Sequence, residues 1–312
     1  MGPMADMGSE PTTRRGRPLW LILAPALFLI LWSAGFAVAK IGIRHAEPIT
    51  LLALRYSALV AILAPVALIL RIPMPRGARA WIDVAVTGFL IQVVYFGLCY
   101  VAFKSGVSAG GVAIIVCLQP ILVGIAAPRL VGEAAVGLRR WTGLALGLAG
   151  AATVILSRSG ISAENPLGVL AAIGGLLGMT GGTLYEKRFG VSHHPVASNL
   201  IQYSVGAVFA LPLAYASERM AVDWTGEFLW VMAYLVIANS LVSMTLLLAM
   251  IRAGEVSRVS SLFYLVPPLS ALFAWPMLGE AMPPPAWAGM ALAAAGVALA
   301  ARQTGAGPGD GH

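Results

Sequence analysis

Between its clustered charged residues this chain runs for about 20 residues at a time without an Asp, Glu, Lys or Arg, the length that takes an α-helix across roughly 30 Å of hydrocarbon. Nothing else in the sequence restricts the fold so strongly. Composition agrees: 59% of the 312 residues are apolar and 11% are charged, against about 25% charged in a soluble domain. Such a chain has too few polar groups to cover its own surface in water. A soluble enzyme, a nucleic-acid binder and a disordered chain are excluded. The net charge of +7 is no nucleic-acid signal, because the Lys and Arg residues sit in short loops beside apolar runs, where they orient spans.

Apolar runs between charge and proline clusters predict an all-α integral membrane protein of ten transmembrane helices, at 19–39, 49–70, 81–103, 107–128, 139–157, 167–187, 196–217, 227–250, 256–277 and 285–301. Arg14, Arg15 and Arg17, followed by an apolar stretch and Ala37-Val38-Ala39, look like a secretory signal with its cleavage site. The run from Leu19 to Ala39 is too long for that, so it reads as an uncleaved first span. The division follows: a disordered tail at 1–18, a first five-helix unit at 19–157, a linker at 158–166, a second unit at 167–301 and a tail at 302–312. Ten spans with the N-terminus inside place 14 Lys and Arg on the cytoplasmic side and 5 on the other, so both termini are expected in the cytoplasm. Cys99 and Cys117 both fall inside apolar runs and read as small packing residues rather than a disulfide.

The two halves repeat. Adding 147 takes Lys40 to Lys187, Pro48 to Pro195, Tyr56 to Tyr203, Pro65 to Pro212, Pro120 to Pro267, and Gly132-Glu133 to Gly279-Glu280; at 146, Trp141, Gly143 and Gly150 match Trp287, Gly289 and Gly296. Composition produces chance Ala and Leu matches, but not paired Pro, Lys, Tyr, Glu and Trp at one offset. Five helices per unit is odd, so the second copy is expected to enter the bilayer from the opposite side. Inverted repeats of this kind form two bundles that rock around a central cavity near the midplane.

Trp32-Ser33-x-x-Phe36, Pro48 followed by Arg55, Pro120 with Gly132-Glu133, and Pro267 with Gly279-Glu280 together resemble the ten-span EamA type of the drug/metabolite transporter superfamily, over roughly residues 19–301. The resemblance implies a basket in which spans 1–4 and 6–9 enclose a cavity while spans 5 and 10 lie outside. It also implies export of small metabolites from the bacterial inner membrane, with amino-acid exporters, including the aromatic branch, as the members expected.

A zwitterion crosses hydrocarbon only with hydrogen-bonding partners, since an unpaired polar group costs several kcal/mol there. The path should therefore show as polar side chains inside spans. Ser33, Gln92, Tyr95, Tyr100, Gln119, Thr180, Thr183, Tyr185, Asn199, Gln202, Tyr203, Asn239, Ser243, Ser260, Ser261 and Tyr264 are the candidates. Each competes with a plain alternative, a hydrogen bond to a neighbouring helix at about 0.6 kcal/mol. Gln92, Tyr95 and Tyr100 share one helical face, and Trp32 with Tyr95 and Tyr264 could wall a cavity with aromatic rings. Pro120, Pro267 and Pro268 fall mid-span at matching places and should break their helices, which is the sequence mark of a transporter binding site. Gly174, Gly178 and Gly182 form a small-residue stripe for close helix packing.

Arg55 is the one formal charge well inside a span. It either attracts a substrate carboxylate, locks the outer gate, or snorkels to the nearby interface. Glu133 and Glu280 follow Gly at span ends and read as loop tethers. With no Asp or Glu deep in a span and all four His in loops or the tail, transport is expected to be facilitated or exchanging rather than tightly proton-coupled.

Gly106-Val107-Ser108-Ala109-Gly110 fits a nucleophile pattern but opens a membrane helix, so catalysis is not expected. No phosphate-binding loop or metal-ligand spacing occurs, so neither ATP nor any metal or other cofactor is expected. The expected partners are a small-molecule substrate and membrane lipid, with no nucleic acid, and the chain is expected as a monomer or weak homodimer. Three alternatives stay open: an exporter of cationic drugs, an exporter of nucleotide sugars, and a membrane-embedded lipid-handling enzyme.

Overall fold

A computed structural model describes residues 19–105, 107, 109–158, 166–189, 193–253, 256–279 and 282–301. The two tails, most of the linker, Gly106 and Ser108 of the nucleophile-like pattern, and Glu280 lie outside the described residues. Helix falls on all ten expected intervals: α1 Leu19–Gly42, α2 Pro48–Ile69, α3 78–104, α4 109–130, α5 Leu138–Arg158, α6 Pro166–Phe189, α7 Pro195–Ser217, α8 Gly226–Ala253, α9 256–278 and α10 Pro284–Ala301. Among the described residues eight helices are long and apolar enough to cross a membrane, and one apolar helix, Pro284–Ala300, is shorter. The remaining interval, α4, is interrupted. Among the described residues no strand forms beyond one isolated bridge, Ala46 to Val222. Leu23, Ile30, Leu68, Ile69, Leu170, Val208 and Tyr215 point outward as large exposed side chains, the face a lipid-embedded bundle presents.

The interruptions are paired. In α3 the helix widens to π spacing over Phe89–Tyr95, and in α8 over Tyr234–Ser243. The second copy of 89–95 is 236–242, inside that stretch. A π turn leaves a carbonyl without its usual partner, and in each half a tyrosine supplies one. The Tyr56 hydroxyl donates to the Gln92 carbonyl at 3.1 Å, and the Tyr203 hydroxyl to the Ser240 carbonyl at 3.0 Å. These repeat-matched tyrosines also face each other, their ring centroids 5.8 Å apart where α2 packs on α7. In α4 the helix Ala109–Val116 stops and restarts as Gln119–Leu130, with Pro120 in the new first turn. In α9 a 3₁₀ turn, Leu262–Leu265, precedes Val266–Leu278, whose first turn holds Pro267. In that position proline's missing N–H costs no helix hydrogen bond.

Helix α1 packs on α8 and α9, and α6 packs on α3 and α4, so the contacts map onto themselves when the halves are exchanged. The most extensive packing joins α5 to α10. Its four repeat-matched glycines explain how. A methyl built on Gly150 would stand 2.6 Å from the Gly289 carbonyl oxygen, and one on Gly143 2.8 Å from that of Gly296. Backbone therefore touches backbone, and because a rising number on α5 meets a falling one on α10 the two helices run antiparallel. The α6 stripe is likewise a packing surface: Gly178 lies against the backbone of Leu90 and Tyr95, and Gly182 against Ile91. Cys99 and Cys117 are buried and unpaired with each other.

Candidate functional site

The site grows from Arg55 on α2. Its side chain is 8% exposed and does not snorkel. Nε donates to the Ser240 hydroxyl and Nη2 to the Asn239 side-chain oxygen, both at 2.6 Å. The guanidinium also stands 5.8 Å from the centre of the Phe96 ring, within cation–π range. Its remaining nitrogen, Nη1, has no hydrogen bond among the described residues. The widened turn of α8 supplies both partners, and each is fixed from behind. Asn239 Nδ2 donates to the carbonyls of Leu31 at 3.1 Å and Trp32 at 3.4 Å, and Ser240 Oγ to Leu235 at 2.7 Å. An Arg from the first half is thus held by the second, at the junction of α2, α3 and α8.

Phe96 links this cation to an aromatic cluster. Trp32 packs against Phe28, Phe263 and Phe96 with centroids 5.4, 6.1 and 6.3 Å away, and Tyr95 lies 4.7 Å from Phe96. Trp32 is 3% exposed. A buried guanidinium beside a cluster of rings is chemically fit for a group carrying a carboxylate at one end and an apolar or aromatic body at the other.

The other sequence candidates divide. Gln92, Tyr95, Tyr203, Asn239 and Ser243 are buried around this junction, and Tyr100 is half-buried against the same core. Ser243 donates to the Phe28 carbonyl at 3.5 Å. Ser33 is buried; its hydroxyl has no partner among the described residues, while its carbonyl accepts from Ser270 at 3.0 Å. Gln119 follows the break in α4 and spans α6 and α9, donating to Thr183 at 3.4 Å and Ser260 at 3.3 Å, so Pro120 positions a buried amide. Pro268 is buried directly beyond the 3₁₀ turn of α9.

Two candidates lie elsewhere. Tyr264 does not share a wall with Trp32: its ring lies over Gly147 of α5, within the cluster that includes Cys117, Leu144 and Val297. The tight turn that carries both residues aims Phe263, not Tyr264, at Trp32. Tyr185 is half-buried near the end of α6, donating to Asp83 at 2.6 Å and stacking on Phe189. Phe28, Phe96 and Phe263 were missed because a phenylalanine in an apolar span carries no signal of its own, although Phe28 stands one turn before Trp32, Phe96 one turn from both Gln92 and Tyr100, and Phe263 one turn after Ser260.

The ends are tied differently. At one, the α1–α2 and α7–α8 loops join: Glu218 accepts from the N–H groups of Ile49 at 3.0 Å and Thr50 at 2.7 Å, Glu47 accepts from the Arg219 N–H at 2.7 Å, and His45 meets Glu227 at 2.9 Å. At the other, Glu133 accepts from the Val256 N–H, a tether as its motif suggested. Glu186, one turn from the end of α6, has no solvent exposure and pairs with Arg252 at 2.6 Å. The carboxylate stands at the edge of its span rather than deep within it, yet is fully buried.

The chain matches the EamA-like transporter family twice, at residues 18–156 and 166–302, which makes the repeat a duplication of one family unit. It is 25% identical over 276 residues to an uncharacterized transporter, YvbV, of Bacillus subtilis (strain 168), covering 88% of this chain and 89% of the relative. It is 27% identical over 270 residues to an uncharacterized inner membrane transporter, YedA, of Escherichia coli (strain K12), covering 86% of each. A solved crystal structure superposes with a TM-score of 0.78 at 20% identity, over 90% of this chain and 96% of that one, a likeness of fold. With apolar helices throughout and a family unit in each half, this multi-pass membrane protein belongs to the EamA-like transporter family.

Proposed function

We propose that the protein exports small zwitterionic metabolites, amino acids with apolar or aromatic side chains foremost, across a bacterial inner membrane by alternating access without ATP hydrolysis. The observation that carries this reading is Arg55: a buried cation on one half, held by Asn239 and Ser240 of the other, with one nitrogen uncommitted and the Phe96–Trp32 cluster beside it. A carboxylate pairs with the cation and the side chain with the rings. The same cation opposes cationic drugs, and a single Arg is too little for a nucleotide sugar's two phosphates.

In this reading all ten helices span, as two oppositely inserted five-helix copies with both termini in the cytoplasm, and the chain acts as a monomer or weak homodimer. The antiparallel crossing of the repeat-matched α5 and α10 supports the inversion, as does the exchange symmetry of the contacts. The aromatic cluster stands packed upon itself, so loading requires the halves to part around Arg55. Counterflow of labelled amino acids in proteoliposomes tests the assignment. Saturable exchange of leucine, phenylalanine and tryptophan is expected. Silence for every amino acid, with flux of a cationic dye or a nucleotide sugar, would overturn it.

A further inference from the structure

The transport reading leaves the buried carboxylate at the other end of the bundle without a task. Glu186 has no exposed surface, yet its pairing is incomplete. Arg252 brings both Nε and Nη2 to the same oxygen, Oε1, each at 2.6 Å, and Oε2 has no partner among the described residues. A guanidinium and a carboxylate usually share two oxygens fork to fork, and a half-satisfied buried ion pair is poor value as a stabilising element. Ionisable groups kept inside membrane helices commonly serve ion or proton movement.

We propose that Glu186 is the proton-carrying residue of the transport cycle, so that substrate exit is driven by proton entry; this rests on the transport reading above. A proton adds to Oε2, an O–H bond forms, and Glu186 becomes neutral while Arg252 keeps its charge. Arg252 is not stranded, because Nη1 still donates to the His193 carbonyl at 2.9 Å and Nη2 to the Ser198 hydroxyl at 3.0 Å. The tie from α6 to α8 is thereby weakened while that from α8 to α7 is kept. One proton inward against one zwitterion outward carries one positive charge inward per cycle.

Arg252 lines a pocket of about 120 Å³ together with His193, Asn199 and Thr245, so one member of the pair borders a cavity at its own end. Toward the middle, Thr183 lies one turn from Glu186 and accepts from Gln119, whose Oε1 is unpartnered, and Gln202 lies one turn beyond Ser198 with both amide atoms unpartnered. Of these buried polar groups, Thr183 lies on the helix of Glu186 and Gln202 on that of Ser198, each on the midplane side. The charged and titratable groups around Glu186 are Arg252 on α8, Lys187 on its own helix with Nζ 3.5 Å from the Arg252 carbonyl, His193 on the α6–α7 connection, Asp83 and Arg79 on α3, Arg188 against the Leu130 carbonyl of α4, and Glu133 beyond it.

The test compares counterflow with gradient-driven uptake of the same labelled amino acid in proteoliposomes. In the wild type a pH gradient should drive accumulation and a membrane potential should enhance it. Glu186→Gln should keep counterflow while gradient-driven accumulation falls at least tenfold, and Glu186→Asp should restore part of it. Equal pH-driven accumulation in Glu186→Gln, or none in the wild type, overturns the proposal. Infrared difference spectra of the wild type and Glu186→Asp, recorded in lipid without substrate, give a readout that survives failure of the amino-acid assignment. A protonated-carboxyl band that shifts in the Asp variant is expected, and the absence of any such band overturns the assignment of the proton to Glu186.

Discussion

Arg55→Gln isolates the charge, because Gln is the residue that the repeat already places at the matching position, 202. In the wild type Nε and Nη2 are committed to Ser240 and Asn239, so one nitrogen remains for a carboxylate oxygen. A single charge-assisted hydrogen bond is worth about 1.5–3 kcal/mol, which at 1.4 kcal/mol per decade is roughly a 10- to 100-fold change in affinity. The structural loss is smaller, since Asn239 and Ser240 keep their bonds to the Leu31, Trp32 and Leu235 carbonyls. Comparing counterflow of phenylalanine with that of phenethylamine, which lacks the carboxylate, separates the two effects. The wild type should favour the amino acid by roughly 10- to 100-fold, chiefly through KM, and the preference should collapse toward one in Arg55→Gln. Arg55→Lys should be intermediate, because an ammonium keeps the charge but not the fork. If both substrates fall together in Arg55→Gln, or the preference survives it, Arg55 is a structural tie and the carboxylate is read elsewhere.

Gly150→Ala should destabilise the α5–α10 crossing by about 1–3 kcal/mol through overpacking, whereas Gly97→Ala, with open space around it, should be neutral or gain up to about 1 kcal/mol from helix propensity; denaturant unfolding in mixed micelles orders the two. Tyr203→Phe removes the hydroxyl that serves the Ser240 carbonyl and should cost about 0.5–1.5 kcal/mol by the same measurement. Glu218→Gln weakens the charged cap on the start of α2 by about 0.5–2 kcal/mol, and a cysteine reporter, Ala46→Cys, should then label several-fold faster with a membrane-impermeant maleimide.

The spans, the duplication and the helix breaks were legible because each leaves a mark in one dimension. Charge-free length locates a span, the 147-residue offset locates the copy, and Pro120 and Pro267 mark the interruptions, whereas Pro65 and Pro212, equally matched, sit inside unbroken helices. The site was legible only in its polar part. Arg55 and Asn239 stand out against an apolar background, but that they meet across α2 and α8 requires the fold. Tyr95 and Tyr264 look equivalent in sequence, and a 3₁₀ turn decides which neighbour of Tyr264 reaches Trp32. The π stretches were invisible, because nothing in Phe89–Tyr95 or Tyr234–Ser243 distinguishes 4.4 from 3.6 residues per turn.

A clearer rule emerges from comparing the copies position by position. Residues that match across the repeat build the frame: Tyr56 and Tyr203 serve the widened turns, Pro120 and Pro267 start the broken helices, and Gly143, Gly150, Gly289 and Gly296 make the outer crossing. Residues that differ build the site. At the offset of 147, Arg55 stands opposite Gln202, Trp32 opposite Met179, Phe28 opposite Gly175, Phe96 opposite Ser243, and Phe263 opposite Val116. The physical reason is that a two-fold frame offers each half the same mechanical role, while a small asymmetric ligand needs a cation on one side of the axis and rings beside it, not a second set across from them. Glu186 and Arg252 obey the same rule, standing opposite Ala39 and Ser105. The Glu186–Arg252 pair is therefore not repeated at the matching positions of the far end, where Glu218 and Glu47 accept from backbone N–H groups and the exposed Glu227 meets His45. An outward step and an inward step that break chemically different ties are not energetically equivalent, and that inequality is what a pH gradient acting on one end could exploit.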